Sequence, residues 1–513
     1  MKKNLKDVQR SMILFRSPQA TSRSIEIEDN HIENTDKSSR NYEGLYSKGF
    51  SHDPNTLIGE SSEIKDLQIA LNDGDQADFN NIAKAGDRKQ ASPQASLSFE
   101  NMGGDPAGFE MPVPPSLSSR VTAAEMAEVY EKCILRDKTF SNLNEGGSDV
   151  DIERAITTLN SFGDDFKGPK SGGIVSRKVL FRGIGPNEDV GPYVSQFLLH
   201  PVPFGAQIIE QKYTQRVGAY GIKKSELLSI QEGYMPGNNG LPTQSTGASR
   251  YVSTPRDLGS LVHVDFIFQN YLYAAAIASS FSRQSAFPTL AKEGSFVTNA
   301  GIADIACAVS EVARHALKAA WFQKWINHLR LRPEAMAAKI ELSSSLVHSD
   351  ILLGGAADAT IQAVKSYNTS QGGENSAWLP LLYAEGSPTH PSYPAGHAVI
   401  SGACVTLLKI FLADANWSTT GLSVFESLNG TNLTAYAGAD SSNMTIHGEL
   451  NKLASNMAIG RNMAGVHYRS DGDEGIILGE KVAIQYFKDL REQQNENIGS
   501  PSIVKFDGDV LNI

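Results

Sequence analysis

Three short stretches of this chain carry residue types that bind and activate small anions. Lys324 and Arg332 lie in KWINHLRLRP, His390 and His397 in THPSYPAGH, and Arg461, His467 and Asp471 in GRNMAGVHYRSD. A lysine is a point cation, and each arginine offers a planar fork that can share the charge of an oxyanion bidentately. An imidazole moves protons near neutral pH or ligates a metal through one ring nitrogen. Taken together, these residues point to a cradle for a phosphate-like anion with acid–base groups beside it.

Each piece also has a plainer alternative. A Lys and an Arg at a helix end commonly make a solvated C-terminus that complements the helix dipole. His397 follows Pro394, Ala395 and Gly396 at a helix start, where it serves either as a cap or packing residue or, with Gly396, as a donor of free amides to an oxyanion. Asp471, with Glu474 three residues on, resembles a helix N-cap box and could equally orient His467. Other histidines, such as His31, His52 and His348, lie in polar surroundings with no partner expected.

The positions set demands on the elements that carry them. Arg461 and His467 are six residues apart, about 240° around a continuous helix, so Gly465 is expected to break the helix and let both face inward. Pro333 pushes Arg332 out of helical geometry, freeing its side chain from the helical phase. Helices are read from apolar periodicity in TAAEMAEVYEKCILR, in the single buried segment 259–281, and in IADIACAVSEVARHALKAAWFQKWINHLRL, which runs until Pro333 stops it. HAVISGACVTLLKIFL, ELNKLASNMAIGRNMAG and DGDEGIILGEKVAIQYFKDLREQ follow. Strand signals are few and short, and no repeat is visible. The fold class is all-α, built from helical bundles. Residues 1–120, rich in Ser, Asn, Asp and Gly, read as an irregular N-terminal extension packed on the body or on a neighbouring subunit; residues 121–513 form the helical catalytic domain.

Composition excludes other classes. Against 46 Lys and Arg stand 57 Asp and Glu, a net charge of −11, which disfavours a nucleic-acid-binding surface. The most apolar stretch, 259–281, contains His263, Asp265, Gln269 and Asn270, so no membrane span is expected. Cys133, Cys307 and Cys404 cannot form a disulfide framework, are not spaced for zinc or redox chemistry, and read as small core residues. The apolar part of MKKNLKDVQRSMILFRSP is too short for a signal peptide, making cytoplasmic the default.

The three stretches together resemble the signature shared by vanadium-dependent haloperoxidases and the acid-phosphatase superfamily: Lys…Arg-Pro, Ser-Gly-His, then Arg…His…Asp. HPSYPAGHAVISGACVTLLKIF, GELNKLASNMAIGRNMAGVHYRSD and GPYVSQF are most similar to the red algal and cyanobacterial vanadium bromoperoxidases, and the similarity runs from about residue 120 to VKFDGDVLNI. The seven residues between Lys324 and Arg332 are the algal spacing; Arg330 sits at the shorter phosphatase spacing but lacks the following proline. The resemblance implies two four-helix bundles in a homo-oligomer, as large as the dodecamer of the red algal enzymes. It implies that Lys324, Arg332, Gly396 and Arg461 hold the oxygens of vanadate and that His467 ligates vanadium. His397 would be the acid–base group for hydrogen peroxide, and His390, also catalytic, would line the halide pocket with Trp321. No haem is involved. Bromide and iodide would be oxidised to a hypohalous acid equivalent that halogenates small organic acceptors.

Departures from the family pattern carry their own expectations. Ala395 stands where the family has a serine, removing roughly 1–3 kcal/mol of charge-assisted bonding. FPTLAKEGSFVTNAG has only Glu293 where the red algal enzymes have an acid-rich calcium loop, so no calcium is expected there. Trp321 replaces an algal arginine, as in fungal chloroperoxidases, whereas His390 matches the bromoperoxidases. Two other readings stand beside this one: an acid phosphatase-type phosphomonoesterase with His467 as nucleophile, and a degenerate oxyanion-binding or structural assembly protein, for which Ala395 is the support.

Overall fold

The computed structural model describes residues 42–100, 102–144, 146–281, 286–287, 294–494, 496 and 499–513. Among them the chain forms 14 α-helices and four two-stranded antiparallel sheets. The all-α expectation therefore holds, with the strands confined to short two-stranded pairs. The longest pairs Tyr213–Val217 with Ser245–Arg250, with Tyr213 opposite Arg250 and a register shift between Thr214 and Arg216.

The helices that frame the site are α1 (Ser61–Asp73), α2 (Arg120–Ile134), α3 (Pro255–Leu261), α4 (Gln269–Ala278), α5 (Ile302–Phe322), α6 (Pro333–Glu341), α7 (Gly396–Phe411), α8 (Ile446–Met463) and α9 (Arg469–Gln493). Residues Ala398–Phe411 of α7 are all buried, as expected of a helix that is apolar on every face and sits at the centre of a core. It packs on α5, α8 and, most extensively, α9. Glycines let α7 and α9 approach backbone to backbone. A Cβ at Gly402 would lie 2.0 Å from the Ile476 carbonyl oxygen, and one at Gly479 would lie 2.0 Å from that of Val399. The crossing fixes the N-terminus of α7, with Gly396 and His397, against the N-terminus of α9, with Asp471.

Several expectations are corrected. Segment 259–281 is not one helix: α3 ends at Leu261, residues 262–268 are non-helical, and α4 begins at Gln269. Within the break His263 and Asp265 turn inward to Glu385 and His397, while Val264 and Phe266 are exposed, so tertiary polar contacts override local helix propensity. Nor does the next helix run to Pro333. It widens at Phe322 into a π-helical turn, Gln323–His328, and ends at Leu329, whose φ is 45°. Pro333 instead starts α6, with Arg332 as its extended N-cap. Cys133 and Cys404 are buried, but Cys307 is exposed on the outer face of α5. His52 is buried, its ring bonded to the Phe50 carbonyl and the Ser47 hydroxyl. No helix among the described residues is long and apolar enough to cross a membrane. Glu293 and His31 lie outside the described residues.

The described part of the N-terminal extension contains two α-helices that its composition did not suggest, the short Gln76–Asn81 and α1, whose buried Ile64, Leu67 and Leu71 join Leu45, Tyr46 and Phe50 in packing on Trp325 and Leu329. Further along, Ala91 donates its amide to the Thr389 carbonyl and Arg88 donates to the carbonyls of Glu385 and Ser387. The extension thus lies along the 385–392 loop that carries His390.

Candidate active site

The π-helical turn sets the lysine. Lys324 lies inside it, and its carbonyl accepts the Leu329 amide; widened turns of this kind recur at functional sites. The Lys324 ammonium is fully buried and donates to the carbonyls of Pro391 (2.8 Å) and Ser392 (2.9 Å). That leaves one N–H for an incoming acceptor. Burial, followed by the nearby Arg332, holds its pKa well below the ordinary range.

Arg332 reaches the same place from the N-cap of α6. Its Nε donates to the His390 carbonyl (3.0 Å), Nη1 to the Val466 carbonyl (2.8 Å) and to His467 Nε2 (2.9 Å), and Nη2 to His390 Nδ1 (3.0 Å). Arg461 arrives from the last turn of α8, which ends as a Schellman motif. Gly465, at φ 82°, donates to the Asn462 carbonyl and Val466 donates to that of Arg461. This is the break the spacing required, and it lets both Arg461 and His467 face the cluster. Arg461 Nη1 donates to the Val262 carbonyl (2.6 Å) and lies 3.5 Å from the Tyr383 hydroxyl. Its Nε is buried with no partner among the described residues.

The three cations are therefore held by neutral acceptors: carbonyls, a phenol and imidazoles. Such an arrangement is costly without an anion to share the charge. Its positive field is felt by both neighbouring histidines. Burial, followed by Arg332 and Lys324, pushes His467 far below its ordinary pKa, and burial followed by Lys324 and Arg332 does the same to His390.

His467 is fixed from behind by Asp471. Its Nδ1 donates to Asp471 Oδ2 (2.8 Å), which also accepts the Tyr468 amide (3.1 Å) and the Ser392 hydroxyl. Asp471 Oδ1 accepts from Arg330 Nη1 (2.7 Å). With Nδ1 carrying the hydrogen, Nε2 keeps its lone pair and points toward the cations. The two alternatives for Asp471 merge: it sits at the third position of α9, where it caps Tyr468 and orients His467 with one oxygen. Glu474 takes no part in that cap.

His397 is the second residue of α7. Its Nε2 lies 3.0 Å from Asp265 Oδ1, and its ring stays partly accessible, with 22% of the side chain exposed. Asp265 is mostly buried, which by itself raises its pKa, but His397 and Arg461 outweigh that and hold the carboxyl below its usual range. Ala395 is the N-cap of α7 and makes no side-chain cap, so the Gly396 and His397 amides in the first turn have no intrahelical acceptor. Trp321 and His390 pack with ring centroids 4.9 Å apart, and Trp321 Nε1 donates to the Ala91 carbonyl (2.9 Å).

The structure thus brings Lys324, Arg332, Arg461 and His467 together, with His390, Trp321, Gly396 and His397 around them. Sequence reasoning did not assign a site role to Asp265, Tyr383, Ser392 or Arg330. The only signal for Asp265 was a carboxylate in an otherwise apolar stretch. Among the described residues no group of three or more His, Cys, Asp or Glu side chains is placed to hold a bare cation; this cradle suits an anion.

The chain is similar over nearly its whole length to the vanadium-dependent bromoperoxidases of two red algae. It is 30% identical to that of Corallina pilulifera, over 94% of this chain and 92% of the relative, and 31% identical to that of Corallina officinalis, over 91% and 90%. It belongs to the vanadium-dependent bromoperoxidase family. The model of the VCPO second helical-bundle domain matches residues 305–496, which include all three stretches of the candidate site. The fold is also similar to that of the second vanadate-dependent bromoperoxidase from Ascophyllum nodosum, solved as a homohexamer: TM-score 0.90, 25% identity, 99% of this chain and 91% of that one.

The residues fit the family's cofactor on this chain's own geometry. Vanadate is a phosphate-like oxyanion, and the cluster offers a spare N–H on Lys324, an unpartnered buried Nε on Arg461 and the uncapped amides of α7. His467 Nε2 supplies a neutral nitrogen donor alongside.

Proposed function

We propose that this chain is a vanadate-dependent bromide peroxidase, which oxidises bromide, and iodide more readily, with hydrogen peroxide to a hypohalous acid equivalent that halogenates small organic acceptors. The observation that carries the reading is the gathering of three buried cations around His467, none of them paired with a carboxylate among the described residues, with Arg332 on its lone-pair nitrogen. Family membership supports it. Lys324, Arg332, Arg461 and the Gly396 amide hold the oxygens of vanadate, and His467 Nε2 ligates the metal. Bound there, vanadate would supply a Lewis-acidic centre that activates peroxide for the two-electron oxidation of halide.

The protein's own work is binding, orientation and proton transfer. His397 donates Nε2–H to Asp265, which holds the ring and stabilises its charged form, so the proton exchanged with hydrogen peroxide and the departing oxygen passes through the other ring nitrogen, Nδ1. His390 Nδ1 lies 3.0 Å from the donor Arg332 Nη2 and 3.1 Å from the Pro391 carbonyl; in the tautomer that accepts from Arg332, Nε2 carries the hydrogen. That N–H, beside the Trp321 ring, is a donor for an approaching halide. In stoichiometry, hydrogen peroxide, bromide and one proton give hypobromous acid and water, and His397 is the residue placed to supply that proton.

The hexameric neighbour supports a homo-oligomer, and the N-terminal extension, whose Arg88 and Ala91 bond to the site loop, suits a role at its subunit contacts. Light scattering should give a mass of several chains, separating a hexamer from a dodecamer; a monomer would contradict the assembly. The activity is tested by bromination of a phenolic indicator with peroxide, and hydrolysis of a simple phosphoester by vanadate-free protein tests the phosphatase reading in parallel.

A further inference from the structure

Arg330 belongs to the same stretch as Lys324 and Arg332 but turns away from the cradle. Its guanidinium is buried. Nη1 donates to Asp471 Oδ1 (2.7 Å) and to the Ser470 hydroxyl (2.9 Å), while Nη2 donates to Glu125 Oε2 (2.9 Å). The guanidinium carbon lies 3.9 Å over the Tyr468 ring, which closes its other face. Glu125 is itself tied to the start of α9, because its Oε1 accepts the Ser470 amide (2.6 Å).

We propose that Arg330 is a positioning residue for the oxyanion site. Anchored by Glu125 of α2, it holds the Asp471 carboxylate in the orientation that fixes the tautomer and ring plane of His467. The inference rests on reading the cluster as a vanadate site. Its logic is saturation. Asp471 Oδ2 takes three donors, from His467, Tyr468 and Ser392, and Oδ1 takes the guanidinium. A carboxylate filled in this way is acceptor-only, so His467 must present its Nδ1 hydrogen backward and its Nε2 lone pair forward. Without Arg330, Oδ1 would be a buried anionic oxygen lacking its main donor. The carboxyl could then rotate or exchange oxygens, and either change loosens the ring. Groups hydrogen-bonded to a metal-binding histidine are commonly worth about 10–100-fold in affinity, and Arg330 acts on His467 through such a group, Asp471.

The test compares the native chain with Arg330→Gln, Arg330→Lys and Glu125→Gln. Two quantities are measured: vanadate binding by titration calorimetry, and the ring-nitrogen chemical shifts of His467 in vanadate-free protein. Arg330→Gln is expected to weaken vanadate binding by about 10- to 100-fold and to mix the His467 tautomers. Arg330→Lys should recover part of the loss, and added guanidinium should partly rescue Arg330→Gln. In an Asp471→Asn background Arg330→Gln should cost little more, since both act through one carboxylate. If Arg330→Gln fails to fold, Glu125→Gln keeps the arginine and should move both readouts in the same direction by less. Native-like vanadate affinity and a single native tautomer in Arg330→Gln would overturn the proposal, as would a loss that adds fully to that of Asp471→Asn. Should the native chain itself bind no vanadate, the reading of the site fails, while the tautomer measurement still decides the role of Arg330.

Discussion

At the scale of single residues, Ala395 is where this chain departs from its family's signature, and its setting says what the departure does. It is buried at the N-cap of α7 and offers no side-chain acceptor, leaving the first-turn amides open. Restoring the hydroxyl with Ala395→Ser should lower the vanadate concentration for half-maximal activity by roughly five- to a hundredfold, the equivalent of about 1–3 kcal/mol. Titrating apo-protein with vanadate measures it, and an unchanged midpoint would mean the free amides already do the work of the serine. Asp265→Asn should lower kcat by roughly tenfold or more while shifting the vanadate midpoint less, because Asp265 bonds His397, the proposed acid–base group. Steady-state kinetics over a vanadate series separates the two. The cations and histidines were legible in the sequence because their chemical types and spacing are distinctive. Their partners were not: Asp265, Tyr383 and the Val262 carbonyl reach the site only through tertiary contacts that no local pattern announces.

Among the elements, the α7–α9 crossing registers the two halves of the site. Gly479 meets the Val399 carbonyl so closely that a methyl group forces the helices apart. Gly479→Ala should therefore destabilise the fold by about 1–3 kcal/mol and weaken vanadate binding as well, because His397 and His467 would move relative to each other. Melting curves with and without vanadate test this, and a native-like melt would show that the crossing can relax. The helices that carry Lys324, His397, Arg461 and Asp471 were readable from periodicity, and the Gly465 break from the angle between Arg461 and His467. The break at 262–268 was not, since it contains neither Gly nor Pro; it exists because Val262, His263 and Asp265 are each claimed by a partner elsewhere. The π-helical turn at Lys324 is equally silent in the sequence, as its residues are ordinary helix formers.

For the whole molecule, the body stores carboxylates whose burial ties stability to pH. Glu188 is buried, with Oε1 accepting the Ser455 hydroxyl (2.7 Å) and the Gly185 amide (2.9 Å). Burial raises its pKa from the ordinary 4.5 to about 7. A raised carboxyl pKa leaves full stability below about pH 4.5, and stability is lost as pH rises through 7. Glu188→Gln retains the accepting oxygen and needs no ionisation, so it should leave the melting temperature unchanged near pH 4 and raise it near pH 8, by the equivalent of roughly 2–3 kcal/mol; no difference between the two pH values would contradict the assignment. Family membership and the convergence of Lys324, Arg332, Arg461 and His467 make one claim about the intact protein, that it is a peroxidase only when charged with vanadate. The most direct measurement is bromination of a phenolic indicator by peroxide and bromide as apo-protein is titrated with vanadate. Turnover should rise from background to a plateau with vanadate and be lost in His467→Ala; turnover independent of vanadate, or none at any vanadate concentration, would contradict the account.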